Sequence, residues 1–233
     1  MVMWKANKMV TRRMIFRQNI TTLFLPLCLI FCAFFSTLAT AQETEIKSLE
    51  QLQTTLNHQN IVRGNFEQVR EVAMFDQPLS SQGSFVLDKD NGLVWDQTIP
   101  FPVKLILTDN KLSQRFADQP AQIITNQDNP MAFYFSHIFL AVFHGDTEQL
   151  KDQFDLSFTP MNNSESGNQW KLELTPKSAP LNAVFRRIAL SGSQDIHSIS
   201  LEEIRGDSTT IHFSQLTHQP PRLTDAEAQQ FKF

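Results

Sequence analysis

The sequence predicts an α+β fold built on a strongly curved antiparallel β-sheet, an incomplete barrel of about ten or eleven strands, with helices covering an apolar concave face. Three observations lead to this prediction. Segments of alternating apolar and polar residues recur along most of the chain, separated by short turns. One apolar segment in the middle has helical spacing instead. Finally, the chain has 20 Phe but only 1 Tyr and 3 Trp, so its large side chains are mostly rings without hydroxyl groups.

Residues 1–41 have the three parts of a secretory signal peptide. Five Lys or Arg residues precede an apolar stretch from Ile20 to Phe35, and Ala39-Thr40-Ala41 matches the small-residue cleavage pattern. We therefore expect cleavage after Ala41 and export to the periplasm, the alternative being an uncleaved membrane anchor. Three methionines are candidate start residues: Met1, Met9 and Met14.

The remaining chain, residues 42–233, is expected to be a single domain. Loss of residues 1–41, which hold five basic residues, no acidic residue and both cysteines, changes the net charge from −4 to −9. This acidic balance argues against a nucleic-acid partner. A domain without cysteines has no disulfide to stabilise it, so it must rely on a packed core, as in a bacterial periplasmic protein.

The first half of this domain predicts one helix followed by a meander. Residues 44–58 have amphipathic spacing, with Ile46, Leu49 and Leu52 or Leu56 on one face. After this segment, apolar residues recur at every second position, as in a β-strand. Asp90-Asn91-Gly92 is a strong hairpin signal. The predicted strands are 61–70, 81–87, 93–95, 103–108 and 111–116.

The middle of the domain predicts an apolar helix over 131–143. Asn129 is a suitable N-cap, Pro130 suits the first helical position, and His144-Gly145 ends the segment. About 13 residues are too few to span a bilayer, so we expect the helix to act as a lid over the sheet. Its apolar stripe is formed by Met131, Phe135, Ile138, Phe139, Val142 and Phe143.

The second half returns to strands. A short helix is expected to begin at Asp146, and Thr224-Asp225-Ala226-Glu227 has the pattern of a capping box for a short closing helix. The predicted strands between them are 154–158, 169–174, 184–191, 196–204 and 208–216.

Motifs for catalysis or metal binding are weak. None of the six His residues has the spacing of a helical metal site, and no Gly-rich phosphate loop is present. We therefore predict no enzyme activity, no metal and no cofactor. An acyl-ester hydrolase that uses Ser191 or Ser193 with His144 is kept as an alternative.

Five segments carry a family resemblance through their composition and order. The predicted first helix leads into a strand containing Phe66-Glu67-Gln68. The other segments are Gly83–Leu87, Leu93–Trp95 followed by Pro100, Trp170–Pro176 and Gly206–Phe213. Together they resemble the outer-membrane lipoprotein carrier family, the LolA/LolB-like proteins. The segment that follows the apolar helix, Gly145–Leu150, is similar to a divergent branch of that family.

The resemblance implies a monomeric periplasmic carrier that shields the acyl chains of a lipid or lipoprotein during transfer from the inner to the outer membrane. Its implied partners are an inner-membrane donor complex or lipid exporter and an outer-membrane acceptor. Lys89 stands where the carriers have an arginine, which implies that it latches the lid. The expected cavity and lid residues are Phe66, Phe85, Leu93, Trp95, Leu105, Phe135, Ile138, Phe139, Val142 and Phe143.

Two alternatives to this function remain open. One is a lipid-sensing regulatory module on the same fold, and the other is the secreted hydrolase. The Phe content also has a simpler explanation, a well-packed core without a cavity. Incubation of the purified protein with a chromogenic acyl ester would test the hydrolase, and mass spectrometry of co-purifying lipids would identify a cargo.

Overall fold

The structure is a computed structural model that describes residues 45–163 and 167–233. The predicted signal peptide, residues 1–41, lies outside the described residues. Within them, eleven strands form one open antiparallel sheet and five helices accompany it, which confirms the predicted fold class. No helix in the described ranges is long and apolar enough to cross a membrane.

The helices are α1 (Leu49–Asn57), α2 (Pro130–His144), α3 (Thr147–Gln153), α4 (Leu181–Val184) and α5 (Asp225–Gln230). The strands are β1 (Ile61–Glu71), β2 (Leu79–Asp88), β3 (Gly92–Ile99), β4 (Val103–Leu107), β5 (Lys111–Phe116), β6 (Gln122–Thr125), β7 (Phe154–Asn163), β8 (Gly167–Pro176), β9 (Phe185–Gly192), β10 (Ile196–Glu203) and β11 (Ser208–Thr217).

The strand order is β6-β5-β4-β3-β2-β1-β11-β10-β9-β8-β7. The first and last strands of the chain therefore pair in the middle of the sheet, with Phe66 of β1 opposite Phe213 of β11. The edge strands are β6 and β7, and the segment that joins them contains α2 and α3. Because β6 and β7 lie at opposite edges, this segment must cross from one edge of the sheet to the other.

Helix α2 has the ends that the sequence predicts. The Asn129 side chain accepts a hydrogen bond from the Ala132 amide, and Pro130 is the first helical residue. The helix ends at Gly145, whose φ of +64° favours glycine. A Cβ atom there would also lie 2.8 Å from Cβ of Leu56, so Gly145 permits the close approach of α1.

The structure corrects several predicted boundaries. Helix α1 begins at Leu49, not at residue 44, because the Ser48 side chain caps it by accepting a hydrogen bond from the Gln51 amide. Strand β7 continues past Pro160, which an edge strand tolerates since a missing N–H costs no ladder hydrogen bond there. The four-residue elements β6 and α4 had no counterpart in the prediction.

Candidate functional site

A cavity of about 370 Å³ lies between α2 and the sheet. Of the 16 residues that line it, all but Gln68 and Ser136 are apolar. The Ser136 hydroxyl donates a hydrogen bond of 2.8 Å to the Ala132 carbonyl of its own helix, so it is not available to a ligand as a donor. The volume is at the small end of the range for ligand pockets. The expected apolar space beneath the helix is therefore present.

Seven of the ten predicted site residues line this cavity. Strands β3 and β4 contribute three of them, and the stripe on α2 contributes the other four. They are Leu93, Trp95, Leu105, Phe135, Ile138, Phe139 and Val142. Leu93 and Trp95 lie on the same face of β3, as alternation requires, and four of the six stripe residues of α2 line the cavity, while Met131 is exposed.

The other three predicted residues, Phe66, Phe85 and Phe143, lie beside the cavity in an aromatic cluster. Phe66 stacks on Trp95, with ring centroids 3.6 Å apart and ring planes 23° apart. Phe85 and Phe143 each make an edge contact with Phe213, at centroid distances of 5.2 and 5.5 Å. Phe66 thus packs directly on the Trp95 indole. Phe85, Phe143 and Phe213 continue the cluster and fill the space next to the cavity.

The sequence analysis missed nine of the lining residues, most of them in the second half of the sheet. Strands β9, β10 and β11 contribute Phe185, Ile188, Ile199, Leu201 and Ile211, and the others are Leu107 on β4, Leu181 on α4, Gln68 on β1 and Ser136 on α2. The alternation of β9, β10 and β11 carried the signal, because each strand places its apolar residues on one face. Their location depended on the pairing of β1 with β11, which the sequence analysis did not predict.

Helix α2 has few polar contacts with its neighbours. Its His137 ring hydrogen-bonds through Nε2 to the Asp109 carbonyl, 2.9 Å away, in the turn between β4 and β5. The Tyr134 hydroxyl donates to Gln153 Oε1 on α3, at 2.7 Å. Its side facing the sheet meets the mainly apolar cavity wall. The cover of the cavity is therefore held mainly by non-directional apolar packing.

Lys89, the residue predicted to latch the lid, contacts the end of α1. Its Nζ donates to the carbonyl oxygen of Asn57 at 2.6 Å and to Oδ1 of Asn57 at 3.0 Å. Burial lowers the pKa of Lys89. The contact involves a backbone carbonyl, as the resemblance implies, but it lies on α1, while the predicted lid is α2. A latching role for Lys89 stays a prediction.

The end of α2 carries a half-buried histidine, His144, close to that lysine. Burial and then the positive charge of Lys89 lower the pKa of His144, and its Nε2 atom is buried without a hydrogen-bond partner. No hydrogen bond joins His144 to Ser191 or Ser193 in the described part of the chain, so the hydrolase alternative gains no support.

Across residues 45–163 and 167–233, no group of three or more His, Cys, Asp or Glu could hold a metal ion.

Comparison with known proteins gives one family match and several solved structures. A model of the family described as "Outer membrane lipoprotein carrier protein LolA" matches residues 57–233. No curated protein matches the chain. A putative outer membrane lipoprotein-sorting protein domain from Vibrio parahaemolyticus is 10% identical, with a TM-score of 0.44, covering 79% of this chain and 97% of its own.

Two further solved structures are similar at the same level. The LolA superfamily protein NE2245 from Nitrosomonas europaea is 9% identical, with a TM-score of 0.41, and the match covers 78% of this chain and 97% of that one. The MucA/MucB complex from Pseudomonas aeruginosa contains a chain 16% identical, with a TM-score of 0.43 and coverage of 77% and 60%.

Proposed function

The chain belongs to the outer membrane lipoprotein carrier protein LolA family, and from that premise we propose that it is a carrier of acyl chains. In this proposal the exported monomer works in the periplasm. It takes up a lipid or lipoprotein from an inner-membrane donor complex or lipid exporter and delivers it to an outer-membrane acceptor. The acyl chains lie in the cavity beneath α2 during the transfer.

The observation that carries this proposal is the composition of the cavity wall. Fourteen of its 16 lining residues are apolar, so a ligand in the site would be buried among apolar side chains and would make few hydrogen bonds. An acyl chain of about 15 methylenes costs about 12 kcal/mol to expose to water, at ~0.8 kcal/mol per methylene. A site that removes this cost without specifying many polar contacts suits a flexible hydrocarbon chain.

The way α2 is held also supports a carrier. A carrier must release its ligand, so its cover has to open without breaking a large set of directional bonds. The described polar contacts of α2 with other elements involve His137 and Tyr134, both away from the cavity lining. Apolar contacts between α2 and the sheet can be replaced by equivalent contacts between α2 and an acyl chain.

Trp95 provides a test of acyl binding. Its indole lines the cavity, whereas Trp170 is fully buried and donates a hydrogen bond of 2.6 Å to the Ser193 carbonyl. Titration with dodecanoic acid below its critical micelle concentration is therefore expected to give a saturable change in tryptophan emission. The Trp95→Phe variant, which keeps the other tryptophans, is the matched control and is expected to show no such change.

Two results would contradict the proposal: no saturable change in the wild type, or the same change in Trp95→Phe. The first would mean that the cavity admits no acyl chain. The second would place the ligand away from Trp95. If the titration shows binding at Trp95, mass spectrometry of lipids that co-purify with the exported protein would identify the cargo.

A further inference from the structure

Three polar side chains on the concave face have no hydrogen-bond partner in the described structure. Gln68 lines the cavity, and its amide makes no hydrogen bond with a described residue. The hydroxyl oxygens of Ser81 and Thr209 are buried and also have no partner. Buried polar groups are nearly always paired, so an unpaired set beside an apolar cavity requires an explanation.

The sheet register brings these three residues together. Gln68 of β1 is directly opposite Ser81 of β2 and directly opposite Ile211 of β11. Thr209 lies two residues from Ile211 on the same strand, so it is a diagonal neighbour of Gln68 on the same face. Phe66 and Phe85, which share this face, point into the aromatic cluster. The three polar residues thus form a row across β2, β1 and β11.

This row lies between the apolar wall of the cavity and a group of charged residues at the end of β1. Ile211 and Leu201 line the cavity next to Thr209, and Leu201 is its direct partner on β10. Two residues beyond Gln68, Arg70 forms ion pairs with Glu203 at 2.9 Å and Asp207 at 3.3 Å. The concave face therefore changes from apolar to polar to charged along β1.

We propose that Gln68 is a polar subsite at this end of the cavity that binds the carbonyl linkage, ester or amide, of an acylated ligand. This inference rests on the proposed carrier function. The linkage lies at the polar end of the hydrocarbon chain, so a chain buried against Trp95 and α2 brings its carbonyl to Gln68. The Gln68 amide supplies the donor to the carbonyl oxygen, whereas the hydroxyls of Ser81 and Thr209 are buried beside it and do not line the cavity.

The subsite gives the cavity a preference that its apolar wall cannot supply. Hydrocarbon burial alone does not distinguish an ester from an ether of equal length. A donor that is left unpaired in the free protein gains a partner only when the ligand has a carbonyl at the right depth. Gln68 therefore selects acyl chains over alkyl chains and fixes how deep the chain enters.

The test compares two probes that differ only in the carbonyl: 1-dodecanoylglycerol, an ester, and 1-O-dodecylglycerol, an ether. Their dissociation constants are measured by Trp95 emission below the critical micelle concentrations. The wild type is expected to bind the ester roughly three- to tenfold more tightly, the range expected for one net hydrogen bond. Gln68→Leu is expected to abolish this preference without weakening ether binding. The matched control is Gln82→Leu, on the neighbouring strand and exposed, and it should keep the preference.

A second pair of variants tests the hydroxyls. Ser81→Ala and Thr209→Val remove unpaired oxygens that do not line the cavity, so each is expected to keep the ester preference and to leave the thermal midpoint unchanged or raised. Loss of the ester preference in either variant, with the midpoint unchanged, would contradict Gln68 as the donor. Equal wild-type affinities for the two probes, or an ester preference that persists in Gln68→Leu, would overturn the subsite and leave the carrier function intact. Failure of both probes to bind would overturn the carrier function itself.

Discussion

The two faces of the sheet are covered by helices that are held by different kinds of contact. On the concave face, α2 lies over a cavity and contacts its wall through apolar side chains. On the other face, the C-terminal helix α5 is bound by a charged contact, because Arg63 donates to both carboxylate oxygens of Glu227 at 2.6 and 2.8 Å. Lys104 on the same face donates to Gln230 at 3.2 Å.

The contact on the second face consists of several directional hydrogen bonds. Besides Glu227, the Arg63 guanidinium binds the carbonyl oxygens of Pro220 and Arg222 at 2.8 and 3.0 Å. Glu227 also completes the predicted capping box with Thr224. The comparison teaches that directional charged bonds fix α5 on one face, while non-directional packing holds α2 on the face where the proposed carrier must let a ligand in.

The strongest test of this contrast removes Arg63. Arg63→Ala leaves a carboxylate that is only 15% exposed without its partner, so we expect a loss of about 3 kcal/mol in unfolding free energy. Binding of an acyl probe should not change, because the pair lies on the face away from the cavity. Denaturant unfolding and probe titration give the two readings.

The control for that variant is Arg187→Ala, whose side chain is 42% exposed and pairs with Glu173 and Glu202. An exposed pair contributes about 1 kcal/mol or less. Equal losses in the two variants would contradict burial of the Arg63–Glu227 pair as the cause of its larger effect. A loss of probe binding in Arg63→Ala would break the distinction between the faces.

The same contact makes stability depend on pH. Hydrogen bonds from Arg63 lower the pKa of Glu227 to about 2, from 4.5 in the unfolded chain. Its stabilisation is therefore complete above pH 4.5 and is lost as the pH falls from 4.5 toward 2, by about 3 kcal/mol in total. Unfolding measured across this window should show a steeper loss in the wild type than in Glu227→Gln, and parallel curves would contradict the assignment.

On the concave face, Phe139→Ala is expected to affect the ligand more than the fold. Phe139 lines the cavity and is already partly exposed to it, so its truncation should cost about 1–2 kcal/mol, less than in a filled core. Affinity for a fluorescent acyl probe should fall roughly three- to tenfold, with thermal unfolding still cooperative. Unchanged affinity would remove α2 from the binding site.

The smallest expected effect is at the end of α2. Since burial and Lys89 lower the pKa of His144, protonation is disfavoured in the folded state. Stability from this group is complete above pH 6.5 and is lost as the pH falls below 6.5, by roughly 1 kcal/mol or less. The difference in thermal midpoint between pH 7.5 and 5.5 should therefore shrink in His144→Gln, and an unchanged difference would exclude His144 as its source.

Local signals predicted most of the elements, because alternation, caps and turns act over a few residues. Asn129 and Gly145 marked both ends of α2, and Asp90-Asn91-Gly92 marked the turn between β2 and β3. Short elements were missed, since the four residues Gln122–Thr125 are too few to show a period.

Contacts between distant segments could not be predicted. Arg63 and Glu227 are 164 residues apart, and nothing in either neighbourhood identifies the other. The cavity wall on β9 to β11 depends on the pairing of β1 with β11, and the polar row on Gln68 depends on the same register. The helix side of the site was accessible from the sequence because its spacing is local, whereas the far wall was not.

The open sheet has a consequence for the range of cargo sizes. In a closed barrel, strand number and stagger fix the circumference. Here β6 and β7 do not pair with each other, so the two ends of the sheet can move apart or together without breaking a ladder hydrogen bond. In the proposed carrier, the width of the interior then adjusts to chains that differ in length and number.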